Sequence, residues 1–232
     1  MALLLTGTGY AVEAARWRRR RELDAVRARI ASDLHDDLGA SLSRISILPE
    51  VAARRARDDA SPLEIVERIG EASRSVVEKL ADGIWAVDPR RDDLRSLGER
   101  LRLVAAELLE PAGISWRVEV PEEAERIGIH PDQRRQVYLV LKEAMANAAR
   151  HSSARNVSLS TSSAHGILEL ELKDDGLGFD ERASADGARL SGGRGLANMR
   201  ERASAFGATF RIESAPGKGT VIGLRVRVRP PA

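Results

Sequence analysis

The apolar residues of this chain change their spacing at Asp88-Pro89, and no single layer architecture accommodates both halves. Before that point they fall at helical intervals: Leu23, Val26, Ile30, Leu34, Leu38, Leu42, Ile45 and Leu48, then Leu63, Val66, Ile69, Val76, Leu80 and Ile84. Such spacing lays an apolar stripe along each of two long helices. The segment Arg57-Asp58-Asp59-Ala60-Ser61-Pro62 reads as the turn between them. Ser61 as N-cap, Pro62 at the first helical position and Glu64 three residues on form a helix start. Pro49 should kink the first helix or end its regular hydrogen bonding. An antiparallel hairpin of this kind cannot bury both stripes alone, so a homodimer forming a four-helix bundle is expected over residues 22–89.

Past Asp88-Pro89 a helix from Leu94 to Leu109 is followed by alternation. Ile114, Trp116, Val118 and Val120 make one such run, Leu168, Leu170 and Leu172 a second, and Ile222, Leu224, Val226 and Val228 a third. These are half-buried strands of a mostly antiparallel sheet. Helices are expected at about 132–151 and 195–206, the second closed by Gly207. Residues 92–232 thus read as a two-layer α/β sandwich, and the chain as α+β.

Composition narrows the chemistry. The 232 residues are 43% hydrophobic and 31% charged, as in a soluble globular protein, and aromatics at 3% leave the core to Leu, Ile, Val and Ala. Cysteine is absent, which excludes disulfides, a Cys-ligated zinc site and a thiol nucleophile. The four histidines, at 35, 130, 151 and 165, contain no H-x-x-x-H pair. A net charge of +2 is weak support for nucleic-acid binding, and no direct nucleic-acid partner is expected.

Residues 2–15 are mostly apolar and run into Arg16-Trp17-Arg18-Arg19-Arg20-Arg21. The stretch is short of the roughly 20 residues of a spanning helix. Its order, apolar and then Trp within arginines, is that of the cytoplasmic end of a membrane helix. Residues 1–21 therefore read either as the end of a membrane segment, which would attach a cytoplasmic domain to the inner membrane, or as a solvated basic helix start.

Four short motifs follow one another in the second half. Glu143, Asn147, Arg150 and His151 share one face of a helix, where carboxylate, carboxamide and cation could hold Mg²⁺ and phosphate oxygens. Alone, such a set is also an ordinary solvated face. Asp174-Asp175-Gly176-Leu177-Gly178 follows a strand, where a carboxylate can accept from an exocyclic amine and glycines let backbone approach a ligand. Gly192-Gly193-Arg194-Gly195 opens a helix, an arrangement suited to anions. It is neither a Walker A loop nor a dinucleotide fingerprint. Gly217-Lys218-Gly219-Thr220 precedes the last strand, and the polar stretch Asp180 to Ser191 reads as a lid.

In this order (N-x-x-R-H, D-x-G-x-G, G-x-G-L, G-x-G-T) the motifs resemble the ATP-binding domain shared by histidine kinases, gyrase, heat-shock protein 90 and mismatch-repair MutL proteins. In the first half, Ile30-Ala31-Ser32-Asp33-Leu34-His35-Asp36-Asp37-Leu38-Gly39-Ala40-Ser41-Leu42 resembles the phosphoacceptor box of the nitrate-sensing and membrane-fluidity-sensing histidine kinases. Gly83-Ile84-Trp85-Ala86-Val87-Asp88-Pro89 resembles the end of their second helix. The resemblance implies a sensor histidine kinase core: autophosphorylation on His35 assisted by Asp36, then transfer to an aspartate of a LuxR-type response regulator. It further implies that Asp174 contacts adenine, that Asn147 and Glu143 hold Mg²⁺, and that Arg150 and His151 lie near the phosphates. Gly176, Gly178, Gly193, Gly195 and Thr220 would complete the ATP site. The other readings are a GHKL-type ATPase clamp without phosphohistidine and a catalytically inert dimeric scaffold. One departure stands out: the subfamily commonly has Gln five residues after the phosphoacceptor, and this chain has Ala40.

Overall fold

The computed structural model describes residues 13–14, 17–18, 20–32, 62–122, 127–180 and 193–228. His35, Asp36, Ala40, Pro49 and most of the expected lid lie outside the described residues. The chain divides into two compact units, Met1–Pro89 and Arg90–Ala232.

In the first unit, helix α1 covers residues 20–32 and buries Ile30. Helix α2, Pro62–Val87, begins at the proline, whose missing N–H costs nothing in the first turn. Toward its end α2 leaves Val77, Leu80 and Ile84 exposed, at relative accessibilities of 66%, 42% and 61%. Steps of three and four place these on one helical face.

A 3₁₀ turn, Pro89–Arg91, straddles the boundary, and the second unit continues with helix α3, Leu94–Leu109. Asp93 caps α3 by accepting the Ser96 N–H at 2.8 Å, and Leu94, Leu97, Leu101, Val104, Ala105 and Leu109 face the core. Strand β1, Ser115–Val118, precedes helix α4, Pro131–Asn147, which runs into a π-helical turn, Ala148–Ser152. Strands β2, Asn156–Ala164, and β3, Ile167–Asp174, form a hairpin. Helix α5, Gly193–Ala205, then leads to β4, Thr209–Ser214, and β5, Thr220–Arg227.

The five strands lie in the order β1-β2-β3-β5-β4, with β1 parallel to β2 and every other pair antiparallel. Register follows the period-two pattern: Leu170 sits opposite Leu224 and Leu172 opposite Ile222, so the apolar residues of both strands fall on the helix-covered face. A one-residue slip would carry all of them to the outer face. That face bears ion pairs instead, Arg211 with Glu171 and Glu213, and Arg225 with Glu169, each at 2.7 Å. All are half exposed and add little stability.

The segment entering this unit is held from inside. Arg134, fully buried in the first turns of α4, meets the Asp92 carboxylate at 3.2 Å. Leu94 N–H donates to the Ile127 carbonyl at 3.1 Å, and Ile129 N–H to the Asp92 carbonyl at 3.2 Å. Removing one partner of such a pair leaves a buried charge uncompensated, a loss of about 3–5 kcal/mol.

Three features differ from the sequence expectation. Strands β2 and β4 are additional. In β2 the outward positions are Ser158, Ser160 and Ser162, and an inward one is Thr161, so apolar alternation is diluted. In β4 only Phe210 and Ile212 carry the alternation. The helix expected to reach position 151 leaves α geometry after Asn147. Finally, His130, which in the sequence reads as following a strand and preceding Pro131, follows none among the described residues: it is the N-cap position of α4 with no side-chain cap bond, and Gly128 forms only an isolated bridge to Asp93.

Candidate functional site

Two adjacent carboxylates at the end of β3 have opposite surroundings. Asp174 points inward, 5% exposed, with Oδ1 accepting the Gly176 N–H at 2.9 Å. It sits opposite Thr220 in the β3–β5 ladder, and both the N–H and the hydroxyl of Thr220 hydrogen-bond its carboxylate. Burial pushes its pKa above the ordinary carboxylate value, aided by the neighbouring Asp175, while the Gly176 and Thr220 hydrogen bonds pull it down. Asp175 is exposed and fully engaged: Oδ1 accepts the Arg155 and Asn156 N–H groups at 2.7 and 2.8 Å, and Oδ2 accepts Asn156 Nδ2 at 2.7 Å. These bonds, the Asn156 side chain first, hold its pKa below the ordinary value. Asp175 thus fastens the start of β2, leaving Asp174 as the recessed acceptor.

The backbone around Asp174 is packed too closely for side chains. Gly178 (φ 59°) lies against the Ala215 and Gly219 carbonyls, and Gly219 (φ 72°) against the Asp174 carbonyl, so a β-carbon at either would collide with main chain. Three hydrogen bonds lock the loop after Asp174 in place. Leu177 N–H donates to the Ser152 carbonyl at 2.7 Å, Gly217 N–H to the Leu177 carbonyl at 2.6 Å, and Phe179 N–H to Ser214 Oγ at 2.9 Å. The first ties the loop to the π-helical turn, where Ser152 Oγ also donates to the Ala148 carbonyl at 2.7 Å. The D-x-G-x-G and G-x-G-T motifs and the end of α4 therefore meet at one place.

A second group forms where α5 begins. A β-carbon on Gly195 would stand 2.6 Å from Glu143 Oε1 and 3.4 Å from Asn147 Nδ2. The first turn of α5, opened by Gly193, thus lies directly on the Glu143 and Asn147 face of α4, with its N-terminal N–H groups nearby. Arg150 and His151 are exposed on the π-helical turn, so the common α-helical face expected from their spacing ends at Asn147. π-turns of this sort are frequent at functional sites.

The donor set fits Mg²⁺ and a nucleotide. A carboxylate and a carboxamide offer oxygen ligands only, suited to a cation that keeps most of its water. Among the described residues no cluster of three His, Cys, Asp or Glu could hold a metal unaided. The recessed Asp174, flanked by flush backbone, offers an acceptor to an exocyclic amine.

Ser152, Asp175 and Ser214 are the structural contributors that motif spacing did not single out. No helix among the described residues is long and apolar enough to cross a membrane.

Comparison with known proteins finds chains similar to this one. Residues 26–92 match a family described as "Histidine kinase", and residues 132–231 one described as "Histidine kinase-, DNA gyrase B-, and HSP90-like ATPase". Among curated proteins, the chain is 28% identical over 209 residues to the signal transduction histidine-protein kinase/phosphatase UhpB of Salmonella typhimurium, covering 88% of this chain and 39% of that one. It is 25% identical to the sensor histidine kinase LiaS of Bacillus subtilis, covering 94% and 59%. The sensor protein VraS of Staphylococcus aureus is 28% identical, covering 88% and 55%. The chain therefore spans between 39% and 59% of the length of these relatives. Among solved structures, the Acinetobacter baumannii histidine kinase AdeS shares the fold, with a TM-score of 0.55, 16% identity, and 80% and 95% of the two chains covered.

Proposed function

The chain belongs to the histidine kinases, in the branch whose helical phosphoacceptor domain matches residues 26–92, and on that premise we propose that it is the catalytic core of a two-component sensor kinase. The observation that supports this most directly is the recessed Asp174, bonded to Gly176 and Thr220 and walled by glycine backbone. Asp174 accepts from the adenine amino group of ATP, and Thr220 holds its carboxylate in place. Gly176 and Gly178 let the base approach. Glu143 and Asn147 hold Mg²⁺, whose chemistry is to neutralise phosphate charge. Gly193 and Gly195 bring the α5 N-terminus over the phosphates, with Arg150 and His151 on the flank.

His35 acts as the nucleophile. One imidazole nitrogen forms a bond to the γ-phosphorus as the bond from that phosphorus to the β,γ-bridging oxygen breaks, with ADP leaving. Asp36 orients the ring and takes its proton. His35 then passes the phosphoryl group to an aspartate of a LuxR-type response regulator. The exposed Val77, Leu80 and Ile84 belong to the seam of a homodimer. Residues 1–21 attach this cytoplasmic core to the inner membrane.

Incubation of the full chain with γ-labelled ATP and Mg²⁺ tests the reading. Label stable to base and lost in acid is expected, absent in His35→Gln and unchanged when His130 is replaced. Acid-labile label persisting in His35→Gln would assign the phosphoacceptor elsewhere.

A further inference from the structure

Ser214, at the end of β4, belongs to none of the four motifs, yet its hydroxyl meets three segments of the site. Its Oγ accepts the Phe179 N–H at 2.9 Å, lies 3.0 Å from the Gly219 carbonyl, to which it can donate, and is 3.1 Å from Thr220 Oγ1. Phe179 closes the loop that follows Asp174, Gly219 packs on the Asp174 carbonyl, and the Thr220 hydroxyl bonds the Asp174 carboxylate. One half-buried hydroxyl therefore joins both loops that flank the acceptor and reaches the acceptor itself through a single intervening side chain.

Proton counting gives this chain a direction. A serine or threonine hydroxyl has one hydrogen to donate and two lone pairs. An ionised Asp174 can only accept, so Thr220 gives its hydrogen to the carboxylate. Thr220 Oγ1 is then left as an acceptor, and the donor within reach is Ser214, whose one hydrogen is shared between Thr220 Oγ1 and the adjacent Gly219 carbonyl, while the Phe179 N–H satisfies Ser214 in turn. In the order Phe179 N–H, Ser214, Thr220, Asp174 the hydrogens run toward the carboxylate, with the Ser214 hydrogen also reaching the Gly219 carbonyl. Without Ser214 the Thr220 hydroxyl loses that partner, the Phe179 N–H loses its acceptor, and neither loop is tied to the other at this point.

We infer that Ser214 is a positioning residue for base recognition, acting through Thr220 and Phe179 to hold Asp174 as a pure acceptor that selects adenine over guanine. The inference rests on the reading of Asp174 as the adenine acceptor. A fixed carboxylate welcomes the 6-amino group of adenine and opposes the 6-oxo group of guanine; a carboxylate free to turn away opposes it less.

Titration calorimetry on the full chain, with ATP and separately with GTP in the presence of Mg²⁺, compares wild type, Ser214→Ala, Ser214→Thr and Asp174→Asn. Loss of one aligned hydrogen bond predicts about a three- to tenfold weakening of ATP in Ser214→Ala. GTP should change less, so the ATP-to-GTP affinity ratio narrows, and Ser214→Thr should keep the wild-type ratio. Should the alanine variant fail to fold, Ser214→Cys, similar in shape with a poor sulfur donor, should show the same narrowing. Asp174→Asn weakening ATP beside an unchanged ratio in Ser214→Ala, including an equal loss of both nucleotides, overturns the role of Ser214 and leaves that of Asp174 standing. Unchanged ATP affinity in Asp174→Asn overturns both.

Discussion

Gly195 faces the Glu143 carboxylate so closely that a methyl group added at its α-carbon would stand 2.6 Å from Oε1. The contact is with the far end of a flexible side chain, so Gly195→Ala should fold by pushing the carboxylate aside. Alanine within a helix is favoured over glycine by up to about 1 kcal/mol. The variant should therefore melt no lower than wild type. Autophosphorylation should require about ten- to a hundredfold more Mg²⁺, the scale of disturbing a ligand's setting. A Mg²⁺ titration of the labelling rate measures this, and an unshifted curve would remove Glu143 from the metal site.

Asp174→Asn should weaken ATP binding by about ten- to a hundredfold, since a charge-assisted acceptor is lost. Its effect on stability has a sign of its own. Burial lifts the folded-state pKa above that of the unfolded chain, so the folded state binds the proton more tightly. Wild-type stability therefore falls as pH rises from the unfolded to the folded value, and the penalty stays in force at neutral pH. Asparagine does not ionise. Melting curves across the acid range should show the difference between variant and wild type moving in the variant's favour as pH rises through that window.

Asp175→Ala should behave in the opposite way. The hydrogen bonds from Arg155 and Asn156 favour the ionised form, so the stabilisation is present above the unfolded pKa and disappears as pH falls through the lowered folded value. The variant should melt below wild type at neutral pH and converge with it in acid. Its ATP affinity should stay close to wild type, because Asp175 fastens β2 rather than facing the nucleotide.

Ala40→Gln tests the switching-off step. A methyl side chain cannot align a water for attack on an acyl phosphate, so the wild-type chain should scarcely hasten decay of its phosphorylated regulator. The glutamine variant should accelerate it. The measurement is regulator-phosphate decay with and without each chain plus ADP, and marked acceleration by wild type would show that Asp36 or Asp37 aligns the water instead.

The sequence spoke clearly where one residue type dominated a period. Helix α3 and strands β3 and β5 follow from Leu, Ile and Val at fixed steps, whereas the end of α2 came from the resemblance of its last residues and the β3–β5 pairing only from the fold. It was quiet where small polar residues occupied strand positions, as Ser158, Ser160, Thr161 and Ser162 do in β2. Site legibility divided on similar lines. Spacing brought Glu143 and Asn147 to one helical face, and motif order named Asp174 and Gly195, but only the fold brings Gly195 onto Glu143. The different duties of Asp174 and Asp175, identical in type and adjacent in sequence, depend on which carboxylate the β3–β5 ladder turns inward. Nor does spacing foretell a π-helical turn, which breaks the common face of Asn147, Arg150 and His151 without any proline or glycine in the stretch Ala148 to Ser152.

The order of the strands bears on synthesis. Strand β5 lies between β3 and β4, so β4 has no neighbour in the sheet until β5 has been added. On the ribosome, everything through Ser214 can emerge while the pocket wall is still missing, because Gly219 and Thr220 come later still. A chain released early, anywhere before Thr220, would expose one edge of β3 and lack the partner that holds the Asp174 carboxylate. The carboxylate's setting is thus completed only with the last strand, and an unfinished copy carries instead an open strand edge prone to pair with other chains.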